Sequence, residues 1–188
     1  MTVAGVVLAA GAGERFRASG GDGPKARATV DDAPMVARVL AAALGAGLAE
    51  VVLVQGADDL RDLAPPGVTV LHNPRWADGL ATSLQVALAH LAGHDAVVVG
   101  LGDQPRVPAS AWAAVAAAPP EPPIAVATYA GRRANPVRLM AAVWPLLPRA
   151  GDEGARSLMR GRPELVREVP CTGDPHDIDT LEDLHRWS

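Results

Sequence analysis

Lysine is almost missing from this chain: of its 17 basic residues only Lys25 is a lysine, and the other 16 are arginines. With 21 acidic residues the formal charge is −4, so no positive excess draws the protein to nucleic acid or an anionic membrane. Cysteine is equally scarce. Cys171 stands alone, which excludes an intramolecular disulfide framework and a cysteine zinc site and makes a reducing cytoplasm the expected compartment. Aromatic residues supply only 3% of the chain, so the core must be aliphatic, drawn from an apolar fraction of 49% that includes 37 alanines. The apolar amino end, Thr2 to Gly11, is too short to span a membrane and lacks the basic region of a signal peptide. The histidines, His72, His90, His94, His176 and His185, lack the spacing of a His-Glu-x-x-His metal site and receive no role.

What is present reads as one α/β domain over residues 1–188, a length that a single core can fill. Val3 to Leu8 is a buried strand leaving through a glycine-rich loop, and a polar stretch follows from Glu14 to Asp32. Met35 to Leu44 is a helix that stops at Gly45 and Gly47. Val51 to Val54, Val68 to Leu71 and Asp95 to Leu101 are further strands, with a helix from Leu80 to Leu91 between the last two. A helix from Pro108 to Ala118 has Ser110 as a candidate N-cap and ends at the prolines 119–123. Ile124 to Tyr129 and Leu165 to Val169 read as strands, Pro136 to Leu139 as extended chain and Met140 to Leu147 as a short helix. Thr180 and Asp183 form a variant capping box for a closing helix, Leu181 to Trp187. This alternation predicts a three-layer, open, mostly parallel sheet of the Rossmann-like kind, with helices on both faces.

In such a sheet, ligands sit beyond the carboxyl ends of the strands. Four successive strand exits here are polar: Gly11, Gly13 and Arg15; Gln55 and Gly56; Asn73; and Gly102 with Asp103. Each alone is an ordinary turn, but together they mark one edge as a binding edge. The first loop lacks the Gly-x-Gly-x-x-Gly dinucleotide fingerprint, because Phe16 stands where the third glycine would be, and Lys25 is followed by Ala26, which rules out a Walker A loop. A glycine turn offering N–H donors, Arg15 as a planar clamp and Lys25 as a compact charge still suit a triphosphate. Asp103 suits Mg²⁺, and Asp177 and Asp179, two residues apart, either complete that metal site or serve as helix N-terminal charge.

Leu8-Ala9-Ala10-Gly11-Ala12-Gly13-Glu14-Arg15-Phe16 with Lys25 downstream resembles the signature of the MobA-like nucleotidyltransferases. Asn73 to Gly79 with Ser83, Gly102 to Pro105, Gly151 to Arg156 and Asp177 to Leu184 extend the resemblance to the branch containing molybdenum cofactor cytidylyltransferase. It implies transfer of CMP from CTP to molybdopterin with release of pyrophosphate, Mg²⁺ as cofactor, a molybdoenzyme maturation partner, and a monomer or weak dimer. By that resemblance Leu8 to Gly13 and Gly102 bind nucleotide, Arg15 and the Ala10 to Gly13 backbone hold the β and γ phosphates, and Lys25 serves the α phosphate. Asp103 with Asp177, Asp179 or both would hold the metal, Gln55, Asn73, Gly79 and Ser83 would lie near base or ribose, and Arg132, Asn135, Gly154 and Arg156 near the acceptor. The alternatives are a guanylyltransferase, another NTP transferase with a different small phosphorylated acceptor, and a nucleotide-binding module without turnover. Two departures stand out: the span from Arg15 to Lys25 is longer than usual, and Ala134-Asn135-Pro136-Val137 replaces the common Gly-His-Pro-Val.

Overall fold

The computed structural model describes residues 1–187. Strand β1 (Val3–Ala9) is buried along its middle and leaves through the glycine loop into a short helix α1 (Glu14–Ala18). A small hairpin, β2 (Thr29–Val30) with β3 (Ala33–Pro34), leads into α2 (Met35–Gly45). Then follow β4 (Val51–Gln55), β5 (Val68–His72), α3 (Leu80–His90), β6 (Ala96–Leu101) and α4 (Ala109–Ala116). The last third holds β7 (Ile124–Tyr129), β8 (Arg132–Met140), α5 (Arg156–Gly161), β9 (Val166–Pro170) and α6 (Leu181–Trp187).

The main sheet has seven strands in the order β5-β4-β1-β6-β8-β7-β9. From β1 the chain moves out to β4 and β5, then crosses back to lay β6 on the other side of β1, all parallel. The order therefore reverses between β1 and β6, the kind of switch point beyond whose strand ends ligands bind in open α/β sheets. Valine-rich strands suit this geometry because both faces of a parallel sheet are covered. Successive β1 residues point to opposite faces, so Val6 and Leu8 pack with Leu84 and Leu88 of α3 and with Leu91 just beyond it, while Val7 packs with Val36, Val39 and Leu40 of α2 and Trp112 of α4. A third cluster, Val30, Met35 and Ile178, joins the hairpin to the segment before α6.

The three-layer, mostly parallel expectation holds, with differences that have physical causes. β8 runs antiparallel to both β6 and β7, because β7 reverses through a tight turn at Ala130 and Gly131 instead of a crossover helix. Ser110 is not the N-cap of α4: Pro108 holds that position, and no side chain caps the helix. The polar stretch from Glu14 to Asp32 contains α1 and the small hairpin, both too short to leave a periodic signature. The short helix after β8 is a 3₁₀ segment, Ala141–Leu146, as the proline inside it favours. The capping box at α6 is present, since Asp183 N–H donates to Thr180 Oγ1 at 3.1 Å and Thr180 N–H to Asp183 Oδ2 at 2.9 Å.

Arg138 is a buried structural residue, at 0% exposure on the α4 side of β8. Its guanidinium donates to the carbonyls of Ala118 and Pro119, which end α4 and have no further helical turn to accept for. Replacing it by Ala leaves a cavity and two unpaired carbonyls. Arg138→Ala is expected to lower unfolding stability by roughly 3 kcal/mol in urea denaturation, with an unchanged slope.

Candidate active site

The glycine loop after β1 forms the floor of a cavity of about 500 Å³ at the carboxyl edge of the sheet. Among the described residues the N–H groups of Gly11, Ala12 and Gly13 donate to nothing else in the chain, which leaves them free for an anion. Gly13 adopts φ +65°, and a Cβ there would stand 2.8 Å from the Lys25 Cβ. Only glycine permits both the turn and the close approach of Lys25.

Lys25 carries the electrostatics of the site. Its Nζ donates to Asp103 Oδ2 at 2.7 Å and to Asp179 Oδ1 at 3.0 Å, and Arg15 meets Asp179 Oδ2 at 2.9 Å. Burial opposes the Lys25 ammonium, yet Asp103 and Asp179 together outweigh it and hold its pKa above the usual 10.5. The two acidic elements are also tied through their backbones. Ile178 N–H donates to the Asp103 carbonyl at 3.0 Å, and Gln104 Nε2 to the Pro175 carbonyl at 2.7 Å. Asp177 is pushed above the usual carboxylate range, first by burial and then by the charges of Asp103 and Asp179. The loop from Arg15 to Lys25 packs onto this side as well, for Ser19 Oγ accepts the Leu181 N–H at the start of α6 at 2.8 Å.

The carboxylates fit a divalent cation in part. Asp103 Oδ1 is buried without a hydrogen-bond partner, a costly arrangement that a hard cation would relieve. The expected trio of Asp103, Asp177 and Asp179 is not assembled as a cage, however. Among the described residues no three His, Cys, Asp or Glu side chains are gathered closely enough to hold a metal. Lys25 is inserted between Asp103 and Asp179, and the like charges are kept apart. A cation that needs only one or two carboxylates, with phosphate oxygens and water completing its shell, is compatible with this layout.

Leu8 to Gly13, Arg15, Lys25, Gly79, Ser83, Gly102, Asp103 and Asp179 all line the cavity. Other expected residues do not, and their bonds explain why. Gln55 is 6% exposed and accepts the Leu60 N–H through Oε1 at 2.7 Å, holding the loop after β4. Asn73, 1% exposed, gives its amide to Thr82 Oγ1 and Ser83 Oγ, both at 2.9 Å, and so fixes α3 to β5. Asp177 lies beside Asp103 and Asp179 but outside the lining. Arg132 and Asn135 sit on β8 near the β7 turn, where the Asn135 carbonyl accepts the Tyr129 hydroxyl at 3.1 Å. Neither lines the cavity, nor do buried Gly154 and exposed Arg156. Trp76, Leu80 and Asp152 line it as well. The motif Gly151 to Arg156 carried the signal for Asp152, but adjacency in sequence does not say which of its side chains faces the cavity.

The model of the MobA-like NTP transferase domain matches residues 5–169. Nicotine blue oxidoreductase of Paenarthrobacter nicotinovorans is 31% identical over 202 aligned residues, covering 98% of this chain and 95% of that protein. The crystal structure of Rv0371c from Mycobacterium tuberculosis superposes with TM-score 0.84 at 31% identity, over 100% of this chain and 97% of that one. A second structure of Rv0371c, in complex with manganese, gives TM-score 0.81 at 31% identity over 100% and 98% of the two chains. No helix among the described residues is long and apolar enough to cross a membrane.

Lys25 occupies the space between the two carboxylates as a cation of its own. Lys25→Met is therefore expected to tighten Mn²⁺ binding to the nucleotide-free protein by about tenfold or more, measured by calorimetry. Unchanged or weaker binding would show that Asp103 and Asp179 do not face a common cation.

Proposed function

The chain belongs to the MobA-like NTP transferase family, and on that premise we propose that it transfers CMP from CTP to a phosphorylated acceptor, molybdopterin, and releases pyrophosphate. One observation carries the reading: an anion-binding glycine loop faces a lysine held by two carboxylates, one of which has a buried oxygen without a partner. The Leu8-Ala9-Ala10-Gly11 form of the loop resembles that of the cytidylyl branch and not the Leu-Ala-Gly-Gly of the guanylyl branch, a likeness that supports CTP as the donor.

In this reading the free N–H groups of Gly11 to Gly13, with Arg15, hold the β and γ phosphates. Lys25 leaves Asp103 and Asp179 and follows the α phosphate, where negative charge grows in the transition state. An acceptor phosphate oxygen attacks the α phosphorus in line, a new P–O bond forms, and the bond to pyrophosphate breaks. No protein nucleophile or general base is needed, because a phosphate acceptor is already largely ionised near neutral pH, its second pKa being about 6. Asp103 and Asp179 would hold Mg²⁺, which supplies charge compensation to the phosphate oxygens. The β7–β8 turn with Arg132 lies on the same edge of the sheet, beyond β6, and would steer an anionic acceptor without belonging to the nucleotide cavity.

A reductase is the second reading, favoured by the full-length similarity to nicotine blue oxidoreductase. Here the glycine loop would hold the diphosphate of a reduced nicotinamide dinucleotide. Incubation with each NTP, Mg²⁺ and molybdopterin with and without molybdenum separates the two. A CMP adduct identified by mass, together with pyrophosphate, supports the transferase. Oxidation of the reduced dinucleotide by a quinonoid dye without pyrophosphate selects the reductase.

Two substitutions test the mechanism in the same assay. Asp103→Asn is expected to lower pyrophosphate release by about 10² or more, the scale of lost transition-state electrostatics. Lys25→Arg is expected to lose most turnover, because the fixed guanidinium fork cannot follow the α phosphate. Near-normal turnover of either variant would remove that residue from the mechanism.

A further inference from the structure

Gly79 has φ +103°, and a Cβ there would lie 2.4 Å from the Gly151 carbonyl carbon and 2.8 Å from Asp152 Oδ1. The segment at 151–152, from the crossover between β8 and β9, is thus pressed against the start of α3. Two backbone bonds fix its register: Gly151 N–H donates to the Asp78 carbonyl and Ala81 N–H to the Gly151 carbonyl, each at 2.9 Å. Leu80 N–H approaches Asp152 Oδ1 at 3.4 Å, so one carboxylate oxygen is oriented by the helix start. Oδ2 has no hydrogen bond or ion pair among the described residues.

Asp152 lines the nucleotide cavity at the wall built by Trp76 to Leu80, which follows β5, whereas the loop after β6 supplies Asp103. β5 and β6 lie on opposite sides of β1. A carboxylate repels phosphate oxygens and can only accept hydrogen bonds. What it can take from a nucleotide is a donor on the nucleoside, an exocyclic amine or a ribose hydroxyl. We propose that Asp152 accepts a hydrogen bond from the nucleoside of the bound triphosphate and so helps to select it, an assignment that deepens the nucleotidyl-transfer reading and rests on it. Gly79 and the loop from Gly151 are then the means of delivering that carboxylate from a distant part of the chain.

The test is equilibrium binding of CTP, UTP, dCTP and GTP with Mg²⁺ to the intact protein, by calorimetry, for the parent, Asp152→Ala and Asp152→Asn. The uncharged Asn side chain keeps an oxygen for the Leu80 N–H, so it remains informative if the Ala variant fails to fold. Loss of a charge-assisted hydrogen bond is expected to weaken the preferred triphosphate by about tenfold or more in Asp152→Ala, with a smaller loss in Asp152→Asn. If the amine is the donor, the parent binds CTP better than UTP, and the variants lose that preference. If the 2′-hydroxyl is the donor, CTP and UTP weaken alike while dCTP, already weak, is unaffected; if the 3′-hydroxyl is the donor, dCTP weakens with them. Weakening of GTP alone, with GTP preferred by the parent, would keep Asp152 in its role and overturn CTP as the donor. A parent that prefers one triphosphate and variants that retain both its affinity and its preference would overturn the role of Asp152 and leave the transferase reading standing. A parent that binds no triphosphate would overturn both.

Discussion

A single ammonium group, the Nζ of Lys25, is held between the carboxylates of Asp103 and Asp179, and the arrangement of the carboxyl edge depends on it. Asp103 comes from the end of β6 and Asp179 from the segment before α6, elements far apart in the chain. Without a cation between them, two partly buried negative charges would repel and the segment before α6 would lose its charge anchor. Arg15 adds a second bond to Asp179, and Ile178 anchors the same segment in a small apolar cluster with Val30 and Met35. The sheet's edge is thus closed by charge and by packing together. In the proposed reaction the same bonds would keep Lys25 poised, because an incoming triphosphate would offer the ammonium a stronger anion than the carboxylates it would leave.

The sheet makes that interaction possible. Its strand order reverses between β1 and β6, and the loops after those two neighbouring strands both open onto the cavity beyond their carboxyl ends. Buried valines on both faces keep the strand ends rigid, and the flexible chemistry is confined to loops. The antiparallel β8 widens the sheet beyond β6 and brings the β7 turn to the same edge, giving a charged surface beside the cavity without crowding it. A relative similar over nearly the whole chain carries the name of an oxidoreductase, so the shared scaffold does not by itself fix the chemistry, which lies in the side chains of the site.

The loop from Arg15 to Lys25 closes one side of the site. Its first residues form α1, its turn meets the start of α6 through Ser19, and its end returns Lys25 beside Gly13. The distance from the glycine loop to Lys25 is thus set by contacts and not by the number of residues between them. Asn73 and Gln55 show the converse. Both are polar residues at strand exits, as a ligand contact would be, yet both spend their hydrogen bonds inside the protein, holding the loops that shape the cavity.

Sequence alone determined the strands rich in valine, the helices ended by glycine, the capping box at Thr180 and the glycine loop with its lone lysine. Each of these rests on local chemistry: periodicity, backbone freedom or a side chain bonding its own neighbours. It also set apart Asp103, Asp177 and Asp179 without choosing between the last two, because acidic residues at strand exits and helix starts are visible as pattern. Only the tertiary structure decided that β8 runs against its neighbours, that Arg138 is buried under α4, and that Asp152, rather than Gly154 or Arg156, reaches the nucleotide cavity. Those facts depend on which distant segments meet and at what register. Hydrogen bonds between residues some seventy positions apart, such as Leu80 with Asp152 and Lys25 with Asp103, leave no periodic trace in the chain, since their partners become neighbours only once the sheet has formed.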